Sequence, residues 1–344
     1  MKVLVVNNMA PFVRGGAEEL AAHLEENLVA SGHEAEVLRI PLRLDPASRI
    51  PSQMLMVRAL EMFNVDRVIA LKFPAYLIRH PHKTLWLLRQ YRQAYDSSDA
   101  GQSNLPEDPP GQEIRRVIRN ADNEAFGESR RIFAISKTSQ QRLAHYNGVN
   151  ADVLTPPLND AELFRGGSSE GYVFAGGRIN SMKRQYLLLE ALALVPRNVR
   201  LVIAGQPDTP QDAARLTQLV EAHALGDRAK LDLRSLPRPE FAQYVNRALV
   251  CACVPWNEDF GYLAAEAAAA GKPVITAHDS GGVLELVRHL ETGWVVAPEP
   301  QALADAMAAA CLSTTTTVNY GTAARDHWFG MGVTWPKTVE RLLT

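Results

Sequence analysis

The sequence predicts an α/β protein built from two doubly wound, Rossmann-like domains. Its 344 residues correspond to two domains at roughly 150 residues each. Short runs rich in Val, Ile and Leu alternate with longer amphipathic stretches, and these runs form two sets. Because continuous apolar strands that alternate with helices are typical of parallel sheets covered on both faces, each set predicts one such sheet.

Each predicted strand is one of these apolar runs. The first set lies at 3–6, 36–40, 67–71, 85–88, 131–135 and 152–155. The second set lies at 172–176, 199–205, 230–233, 249–254, 273–276 and 294–297. Amphipathic patterns between the strands predict helices at 16–30, 53–63, 138–146, 181–194, 210–224, 239–247, 260–270 and 301–311.

A flexible, polar segment rich in Gly and Ser, 158–172, predicts the domain boundary. We therefore expect an N-terminal domain over 1–164 and a C-terminal domain over 170–329. A last helix at about 330–344 could pack back onto the first domain.

Two segments are expected to be loops. Segment 97–112 holds three prolines and few apolar residues, so it predicts a mobile surface loop. The polar run Thr314–Thr317 is the second. Ser136, just before the predicted helix at 138–146, is expected to be that helix's N-cap and not a nucleophile.

The composition excludes several classes of protein. Hydrophobic residues make up 47% and charged residues 22% of the chain, which is ordinary for a globular protein. The 36 basic and 38 acidic residues leave a net charge of −2, so no basic field attracts nucleic acid. Three cysteines are too few for a disulfide framework, which fits a reducing compartment. Cys251 and Cys253 alternate on a predicted strand and are expected to pack in the core, not to bind zinc.

The apolar runs are all short, and the first residues lack the features of a signal peptide. We therefore expect a soluble cytoplasmic protein, with peripheral attachment to the inner face of a membrane left open.

The most informative segment runs from 255 to 276, where a loop and a helix follow the strand at 249–254. Ligands of doubly wound sheets bind at the carboxyl ends of strands, and a helix N-terminus attracts anions. Glu258 lies in the loop and Glu266 on the helix, where they could accept hydrogen bonds from hydroxyls of a sugar and a ribose. Glu266 could also be a solvated carboxylate, but its alanine neighbours leave little solvated face.

Read as a whole, this segment resembles the signature of retaining glycosyltransferase family 4. In EDFGYLAAE, seven residues separate two glutamates, and AAAAGKPVIT and SGGVLELV follow. Similar matches occur in order at 15–37, GRINSMKRQYLLLEAL, LVIAGQP, SLPRPEFAQYVNRALVCACVPW and ETGWVVAP. The resemblance spans about the whole chain and is weakest between 40 and 125.

The resemblance implies a GT-B fold, in which two Rossmann-like domains face each other across a cleft. It implies transfer of a sugar from a nucleotide diphosphate donor, with a UDP- or GDP-sugar favoured, to a hydroxyl of a glycan, lipid-linked or small-molecule acceptor. The anomeric configuration would be retained. No metal or other cofactor is expected, because the sequence shows no DxD-type metal site. Such chemistry belongs to polysaccharide or glycoconjugate biosynthesis.

Arg178 and Lys183 follow the strand at 172–176, and two cations at one helix start suit a pyrophosphate. Surface ion pairing is the alternative. By resemblance, these two residues contact the donor diphosphate and stabilise it as it leaves. Glu258 would hold the transferred sugar and Glu266 the ribose.

The resemblance also implies backbone contacts to the donor. The sugar would meet the backbone of Asp259, Phe260, Gly261 and Tyr262. The base would meet Arg234, Ser235 and Leu236, although two prolines there could merely shape a helix entrance. Gly15 and Gly16, between the first strand and helix, would lie near the transferred sugar, since glycine lets backbone approach a ligand closely. They do not form GxGxxG, so no nicotinamide cofactor is implied.

The N-terminal domain is expected to bind the acceptor. Its segment 79–95 concentrates basic and aromatic residues, and Arg89 ends the strand at 85–88. Many family members have a His near this position, so Arg89 departs from the pattern. We expect Arg89 to contact the donor sugar or an acidic acceptor; the alternative is a solvated basic face. His80 and His82 precede the strand and are expected to be structural.

Two rival functions fit the same architecture. A nucleotide-sugar 2-epimerase would use the same cleft without an acceptor, and a two-lobed sugar-binding protein would not catalyse a reaction. The spacing of the two glutamates, together with Arg178 and Lys183, favours transfer.

Overall fold

The computed structural model describes residues 1–12 and 15–344. The chain forms two compact units. Unit 1 comprises Met1–Asn159 and Val333–Thr344, and unit 2 comprises Asp160–Gly332.

Unit 1 is built on a six-stranded parallel sheet in the order β2-β1-β3-β4-β5-β6. Its strands are β1 (Lys2–Met9), β2 (Glu34–Pro41), β3 (Arg67–Lys72), β4 (Lys83–Arg89), β5 (Arg131–Ala134) and β6 (Asp152–Val153). Helices α1 (Gly16–Ala30), α2 (Ile50–Arg58), α3 (Asp96–Asp99), α4 (Pro109–Gly127) and α5 (Lys137–Asn147) lie between the strands in sequence. The central strand β3 reads RVIALK, and its four apolar residues are fully buried, as a strand covered on both faces requires.

Unit 2 has a second six-stranded parallel sheet, in the order β12-β11-β10-β7-β8-β9. Its strands are β7 (Tyr172–Gly176), β8 (Arg200–Ala204), β9 (Ala229–Asp232), β10 (Val250–Ala252), β11 (Val274–Ala277) and β12 (Gly293–Val296). Its helices are α6 (Gln185–Leu194), α7 (Pro210–Ala222), α8 (Arg238–Arg247), α9 (Tyr262–Ala269), α10 (Pro300–Leu312) and α11 (Thr314–Gly330). Cys251 and Cys253 are buried free thiols of this core, as expected.

The last helix, α12 (Trp335–Leu343), belongs to unit 1 and packs against α1 and β4. Trp335 makes this contact: its ring stacks with His23 at 6.5 Å and meets Trp86 edge-on at 6.4 Å. Val339 and Leu342 are also buried. The apolar face of α12 is thus buried inside unit 1.

Each of the twelve predicted strands is confirmed by an overlapping strand, and each of the eight predicted helices by an overlapping helix. The helix predicted at 53–63 begins and ends earlier, at Ile50 and Arg58. Ser136 caps α5, as expected: its Oγ accepts a hydrogen bond from the Ser139 N–H at 3.0 Å.

One of the two loop predictions was only partly confirmed, and the other was wrong. Segment 97–112 contains the end of α3 and the start of α4, which leaves 100–108 as the irregular part. The prolines mislead here because Pro109 and Pro110 occupy the first turn of α4, where a missing N–H costs nothing. Asp108 caps this helix by accepting the Gly111 N–H at 2.9 Å.

The threonine run Thr314–Thr317 is the first turn of α11 and not a loop. Thr317 is buried, and its Oγ1 donates to the Ala310 carbonyl at 2.7 Å. Further along the helix, a Cβ on Gly321 would clash with the Gly271 carbonyl, so α11 packs closely against the end of α9. Tertiary packing therefore overrides the low helix propensity of threonine.

Within the described ranges, no helix combines the length and the apolar character that crossing a membrane requires.

A buried carboxyl group joins α4 to the loops that follow β3 and β4. Asp122 accepts hydrogen bonds from the Tyr76 hydroxyl at 2.9 Å and the Tyr95 hydroxyl at 2.8 Å. Burial disfavours the carboxylate and raises the pKa of Asp122 to about 7, against the opposing effect of the two hydroxyls. The folded state therefore retains a proton on Asp122 at a pH where the unfolded chain releases it.

We expect this group to make the stability of unit 1 fall as the pH rises between about 4 and 7. The folded pKa lies above the unfolded one, so the cost grows by at most roughly 1.4 kcal/mol per pH unit over that window. Asp122→Asn keeps the shape without the titration, so it should gain stability relative to wild type as pH rises. Urea unfolding at pH 5, 6, 7 and 8 measures this, with the exposed Glu107→Gln as control. Parallel pH slopes for wild type and Asp122→Asn would contradict the assignment.

Candidate functional site

The carboxyl ends of the unit 2 strands carry most of the predicted site residues. Arg178 and Lys183 lie between β7 and α6, and Glu258 lies between β10 and α9. This is the edge of a doubly wound sheet at which ligands bind.

Lys183 and Glu258 form the central ion pair of this edge. The Lys183 Nζ lies 2.7 Å from the Glu258 Oε2, and the two side chains are 30% and 25% exposed. Both groups therefore reach solvent while neutralising each other. An incoming phosphate could contact the ammonium, and an incoming hydroxyl could donate to the carboxylate.

The loop that carries Glu258 is held by backbone bonds to the loop after β11. The Asn257 N–H donates to the Asp279 carbonyl at 2.7 Å, and the Gly282 N–H donates to the Glu258 carbonyl at 2.8 Å. A Cβ on Gly281, which has φ +65°, would lie 2.5 Å from the Glu258 carbonyl oxygen. The glycine pair of the SGGVLELV segment thus permits the close approach that fixes Glu258.

Arg184 holds the start of the same loop through hydrogen bonds within unit 2. Its guanidinium donates to the Val254 carbonyl at 2.8 Å and the Pro255 carbonyl at 2.9 Å. It also forms two bonds to the Asp279 carboxylate, at 2.6 and 2.8 Å. Arg184 is buried and adopts φ +55°, a conformation that disfavours residues with a Cβ. The bonds therefore outweigh a local backbone cost.

Helix α9 begins after Gly261, which has φ +90°. A Cβ at this position would lie only 2.5 Å from a Val283 methyl group, so a larger residue would clash. Glycine provides no side chain to cap the first N–H groups of the helix, so their partners must come from elsewhere. Asp259 and Phe260 are buried, and the Phe260 ring packs edge-on against Tyr262 at 5.2 Å. The predicted sugar-contacting segment is therefore rigid and closely packed.

Glu266 is buried on α9 and paired with a residue that the sequence did not single out. Its Oε1 lies 2.8 Å from the Arg238 Nη1, and 4% of its side chain is exposed. Burial raises the pKa of Glu266, and Arg238 opposes that rise. The alternative reading of Glu266 as a solvated carboxylate is wrong, because its carboxylate is enclosed.

Arg178 is more exposed than Lys183 and lies 3.4 Å from Asp208. Its carbonyl accepts a hydrogen bond from the Gln185 amide at 2.9 Å, which connects its backbone to α6. The Arg178 side chain itself is held by one long surface ion pair, which is weak in water. It is therefore free to turn toward an anion.

The proposed base-contacting turn precedes α8. Arg234 is exposed and pairs with Asp232 at 2.8 Å and with Glu240. Ser235 is exposed, and Leu236 is half-buried. The two prolines of this turn stand at the start of α8, as the alternative for this turn expected, and Arg234 is paired with two acidic side chains.

In unit 1, Gly15 and Gly16 begin α1 at the carboxyl end of β1. The Gly15 N–H donates to the Glu18 carboxylate at 3.0 Å, and the same carboxylate lies 2.6 Å from the Lys72 Nζ at the end of β3. Arg89 ends β4 beside β3, and its side chain is exposed. The sheet edge of unit 1 therefore presents the glycine turn, an ion pair and an arginine.

Over residues 1–12 and 15–344, no cluster of three or more His, Cys, Asp or Glu side chains could hold a metal ion.

Three residues important to the site escaped the sequence analysis: Arg184, Asp279 and Arg238. Arg184 directly follows Lys183, inside one of the segments that resembled the family, and Asp279 lies between two of them, just before SGGVLELV. Nothing in the sequence indicated that Arg238 would pair with Glu266, since the pairing depends on how α8 and α9 pack.

Comparison with known proteins finds similarity to glycosyltransferases. The family described as Glycosyl transferases group 1 matches residues 165–327. The D-inositol 3-phosphate glycosyltransferase of Jonesia denitrificans is 29% identical over 241 residues, covering 66% of this chain and 55% of that protein. The enzyme of the same name from Mycolicibacterium paratuberculosis is 34% identical over 194 residues, covering 54% and 42%. The chain thus spans about half the length of the curated relatives it matches.

Solved structures show the same fold. Sucrose-phosphate synthase from Thermosynechococcus elongatus superposes with a TM-score of 0.79 at 18% identity, covering 99% of this chain and 97% of that one. Anabaena HepE in complex with UDP-glucose gives a TM-score of 0.75 at 19% identity, covering 99% and 98%. WaaG, a glycosyltransferase involved in lipopolysaccharide biosynthesis, gives 0.72 at 15% identity, covering 99% of both chains. The fold class is therefore GT-B, as predicted.

We expect Arg184→Ala to destabilise unit 2 by about 2 kcal/mol, because it leaves Asp279 and two carbonyls without their donor. Arg184→Gly removes the same contacts but suits φ +55° better, so it should be more stable than Arg184→Ala by roughly 1 kcal/mol. Thermal unfolding of both variants and of wild type measures the difference. A melting temperature equal to wild type in both variants would show that Arg184 does not hold the loop.

Proposed function

Because residues 165–327 match the family described as Glycosyl transferases group 1, we propose that this protein transfers a sugar from a nucleotide diphosphate sugar to an acceptor hydroxyl. The observation that supports this most is the Lys183–Glu258 pair at the carboxyl edge of the sheet, with Glu266 on the helix that follows. A cation for phosphate and two carboxylates for hydroxyls match the chemistry of such a donor.

The diphosphate would be bound by Lys183, Arg178 and the N-terminus of α9. The ammonium is a compact charge already at the site, and the loosely paired Arg178 can turn to present a fork of donors. The uncapped first N–H groups of α9 add donors directed at an anion. These groups would stabilise the negative charge that develops on the leaving phosphate.

The sugar hydroxyls would bind Glu258 and the backbone from Asp259 to Tyr262, and the ribose would bind Glu266. Backbone bonds to the loop after β11 hold Glu258 in place, so little order must be gained on binding. The base would lie against the turn at Arg234, Ser235 and Leu236, whose side chains are exposed or half-buried.

We propose a retaining reaction without a protein nucleophile and without a metal. The acceptor hydroxyl would attack the face from which the diphosphate leaves, and the leaving phosphate oxygen would take the hydroxyl proton. The transition state would carry positive charge on the sugar ring and negative charge on the diphosphate. Arg178 and Lys183 would then serve the role that a divalent cation serves elsewhere.

A uridine diphosphate sugar is the first donor to test, because the HepE structure contains UDP-glucose. The names of the curated relatives make an inositol phosphate the first acceptor to test. An acidic acceptor would also suit Arg89, a permanent cation at the carboxyl edge of unit 1.

A thermal-shift panel of UDP, GDP, ADP and dTDP, followed by an assay of the matching nucleotide sugars, tests the proposal. A ligand at 100 times its Kd should stabilise the protein by about 2.7 kcal/mol. Binding of none of the four would overturn the proposal. An isomerised donor in the absence of acceptor would identify an epimerase. Loss of transfer in EDTA with recovery in Mg²⁺ or Mn²⁺ would overturn the metal-free mechanism.

Lys183→Ala should weaken binding of the preferred nucleotide at least tenfold, because a charged hydrogen bond to phosphate contributes about 1.5–3 kcal/mol. Glu258→Gln should not weaken it, since Glu258 neutralises Lys183, but should lower kcat. Calorimetry and initial rates measure the two effects. Lys230→Ala is the control, because Lys230 is an exposed lysine of β9 that lies over Tyr244. Wild-type turnover in Glu258→Gln would remove that residue from the site.

Arg89→Ala should reduce kcat/KM at least tenfold and leave the Kd for the free nucleotide within about twofold, because we assign the nucleotide to unit 2. Arg89→His should recover part of the activity with a new pH dependence near neutral. Arg131→Ala, at the opposite end of the same sheet, is the matched control. Full activity of Arg89→Ala at saturating and subsaturating acceptor would assign Arg89 to a solvated face.

A further inference from the structure

We infer that Arg238 is a positioning residue of the nucleotide site, which holds the Glu266 carboxylate in place for the ribose and links it to the segment where unit 2 begins. This inference rests on the proposed function. It concerns a contact that neither the Glu–Glu spacing nor the comparisons indicate.

The geometry around Glu266 supports the first half of the inference. The Arg238 Nη1 lies 2.8 Å from the Glu266 Oε1, while 32% of the Arg238 side chain and 4% of the Glu266 side chain are exposed. One carboxylate oxygen is therefore bound from one side, and the carboxylate retains further lone pairs for a ligand. An enclosed carboxylate without Arg238 would be an unpaired buried charge, which proteins avoid.

Arg238 is itself held in one orientation by aromatic rings. Its guanidinium carbon lies 5.2 Å from the centroid of the Phe164 ring and 5.6 Å from that of the Phe241 ring. Phe164 is buried, so the ring against which the Arg238 guanidinium packs is held in place. A planar cation over aromatic faces gains stabilisation and loses little freedom when it binds a carboxylate.

The second contact of Arg238 is with Asp160, where unit 2 begins. The Arg238 Nε lies 3.5 Å from the Asp160 Oδ2, and Asp160 adopts φ +51°. Asp160 directly follows the last residue of the first stretch of unit 1. The Arg238 guanidinium thus connects the Glu266 carboxylate to Asp160, in the segment that joins the two units in sequence.

The Tyr262 hydroxyl is a second polar group that a ligand at Glu266 could contact. The Tyr262 hydroxyl is buried and has no hydrogen-bond partner within the described part of the chain. Tyr262 precedes Glu266 by one helical turn and lies close enough for the Glu266 carboxylate to raise the pKa of the Tyr262 hydroxyl further. Leaving a buried hydroxyl unpaired is costly, and a ligand hydroxyl that reaches Glu266 could satisfy Tyr262 as well.

The charge environment of Glu266 specifies a pH signature. Arg238 on α8 and Asp160 are the charges that shift its pKa, while α11 and β11, which also pack on α9, contribute none among the described residues. Burial raises the pKa of the Tyr262 hydroxyl and of the β10 thiols Cys251 and Cys253, so these groups stay neutral. Without Arg238, burial would raise the pKa of Glu266 unopposed, so Glu266 would be ionised only at higher pH.

The test is calorimetric titration of UDP, or of whichever of the four nucleotides binds best, between pH 6 and 9. We expect Arg238→Met to bind at least tenfold more weakly than wild type at pH 7, with the deficit narrowing as pH rises. Arg238→Lys keeps the cation and should lie within about threefold of wild type. Asp160→Asn should have an intermediate effect. Arg247→Met is the matched control, since Arg247 ends the same helix and pairs with Glu170 at the surface.

A double-mutant cycle with Glu266→Gln separates positioning from direct contact. If Arg238 acts through Glu266, then Arg238→Met should change the Kd for the nucleotide by less than twofold in a protein that already carries Glu266→Gln. This double variant also has no unpaired buried charge, so it remains a test if Arg238→Met does not fold. An additive effect of the two substitutions would show that Arg238 contacts the nucleotide itself, and the inference would be wrong.

Other outcomes overturn the inference in distinguishable ways. Equal or tighter binding by Arg238→Met, with the wild-type pH profile, would show that Arg238 merely covers Glu266. The proposed function would stand in that case. A wild-type protein that binds none of the four nucleotides would overturn both.

Discussion

The bond between Arg184 and Asp279 is the constraint on which the rest of the unit 2 site depends. One guanidinium holds the start of α6, the end of β10 and the loop after β11 together. Lys183 precedes Arg184 in the chain, and the segment that Asp279 begins holds the Glu258 loop through backbone bonds. The positions of Lys183 and Glu258 therefore both follow from one buried arginine. The positive φ of Arg184 is the local cost of placing it there.

The carboxylates of two cation–carboxylate pairs in unit 2, Lys183–Glu258 and Arg238–Glu266, differ in burial and so in what they can do. Lys183 and Glu258 are partly exposed, so water weakens their attraction and a substrate can replace either partner. Arg238 is as exposed as Lys183, but only 4% of the Glu266 side chain is exposed, so breaking that pair would leave the Glu266 charge without solvent. In the proposed function, the first pair would exchange contacts during the reaction, while the second would maintain the shape and charge of the nucleotide site.

The corresponding edge of the unit 1 sheet, at the carboxyl ends of its strands, carries fewer charged side chains. Its glycine turn, the Glu18–Lys72 pair and Arg89 lie at the ends of β1, β3 and β4. Deeper in the unit, Asp122 and its two tyrosines hold α4 to the loops behind that edge. Trp335 packs α12 against α1, so this helix belongs to unit 1 although it follows unit 2 in the sequence.

The sequence by itself predicted the strands and the two sheets, and it assigned the candidate site to the carboxyl edge of the second sheet. Buried parallel strands must be continuous apolar runs, and Glu258, Glu266, Arg178 and Lys183 stand at set distances after them. It misread the prolines at the start of α4 and the threonines of α11, because helix starts tolerate proline and packing overrides propensity. Only the tertiary structure decided which charges pair. Arg238 meets Glu266 and Arg184 meets Asp279 because separate elements pack side by side, and residue order carries no record of that approach.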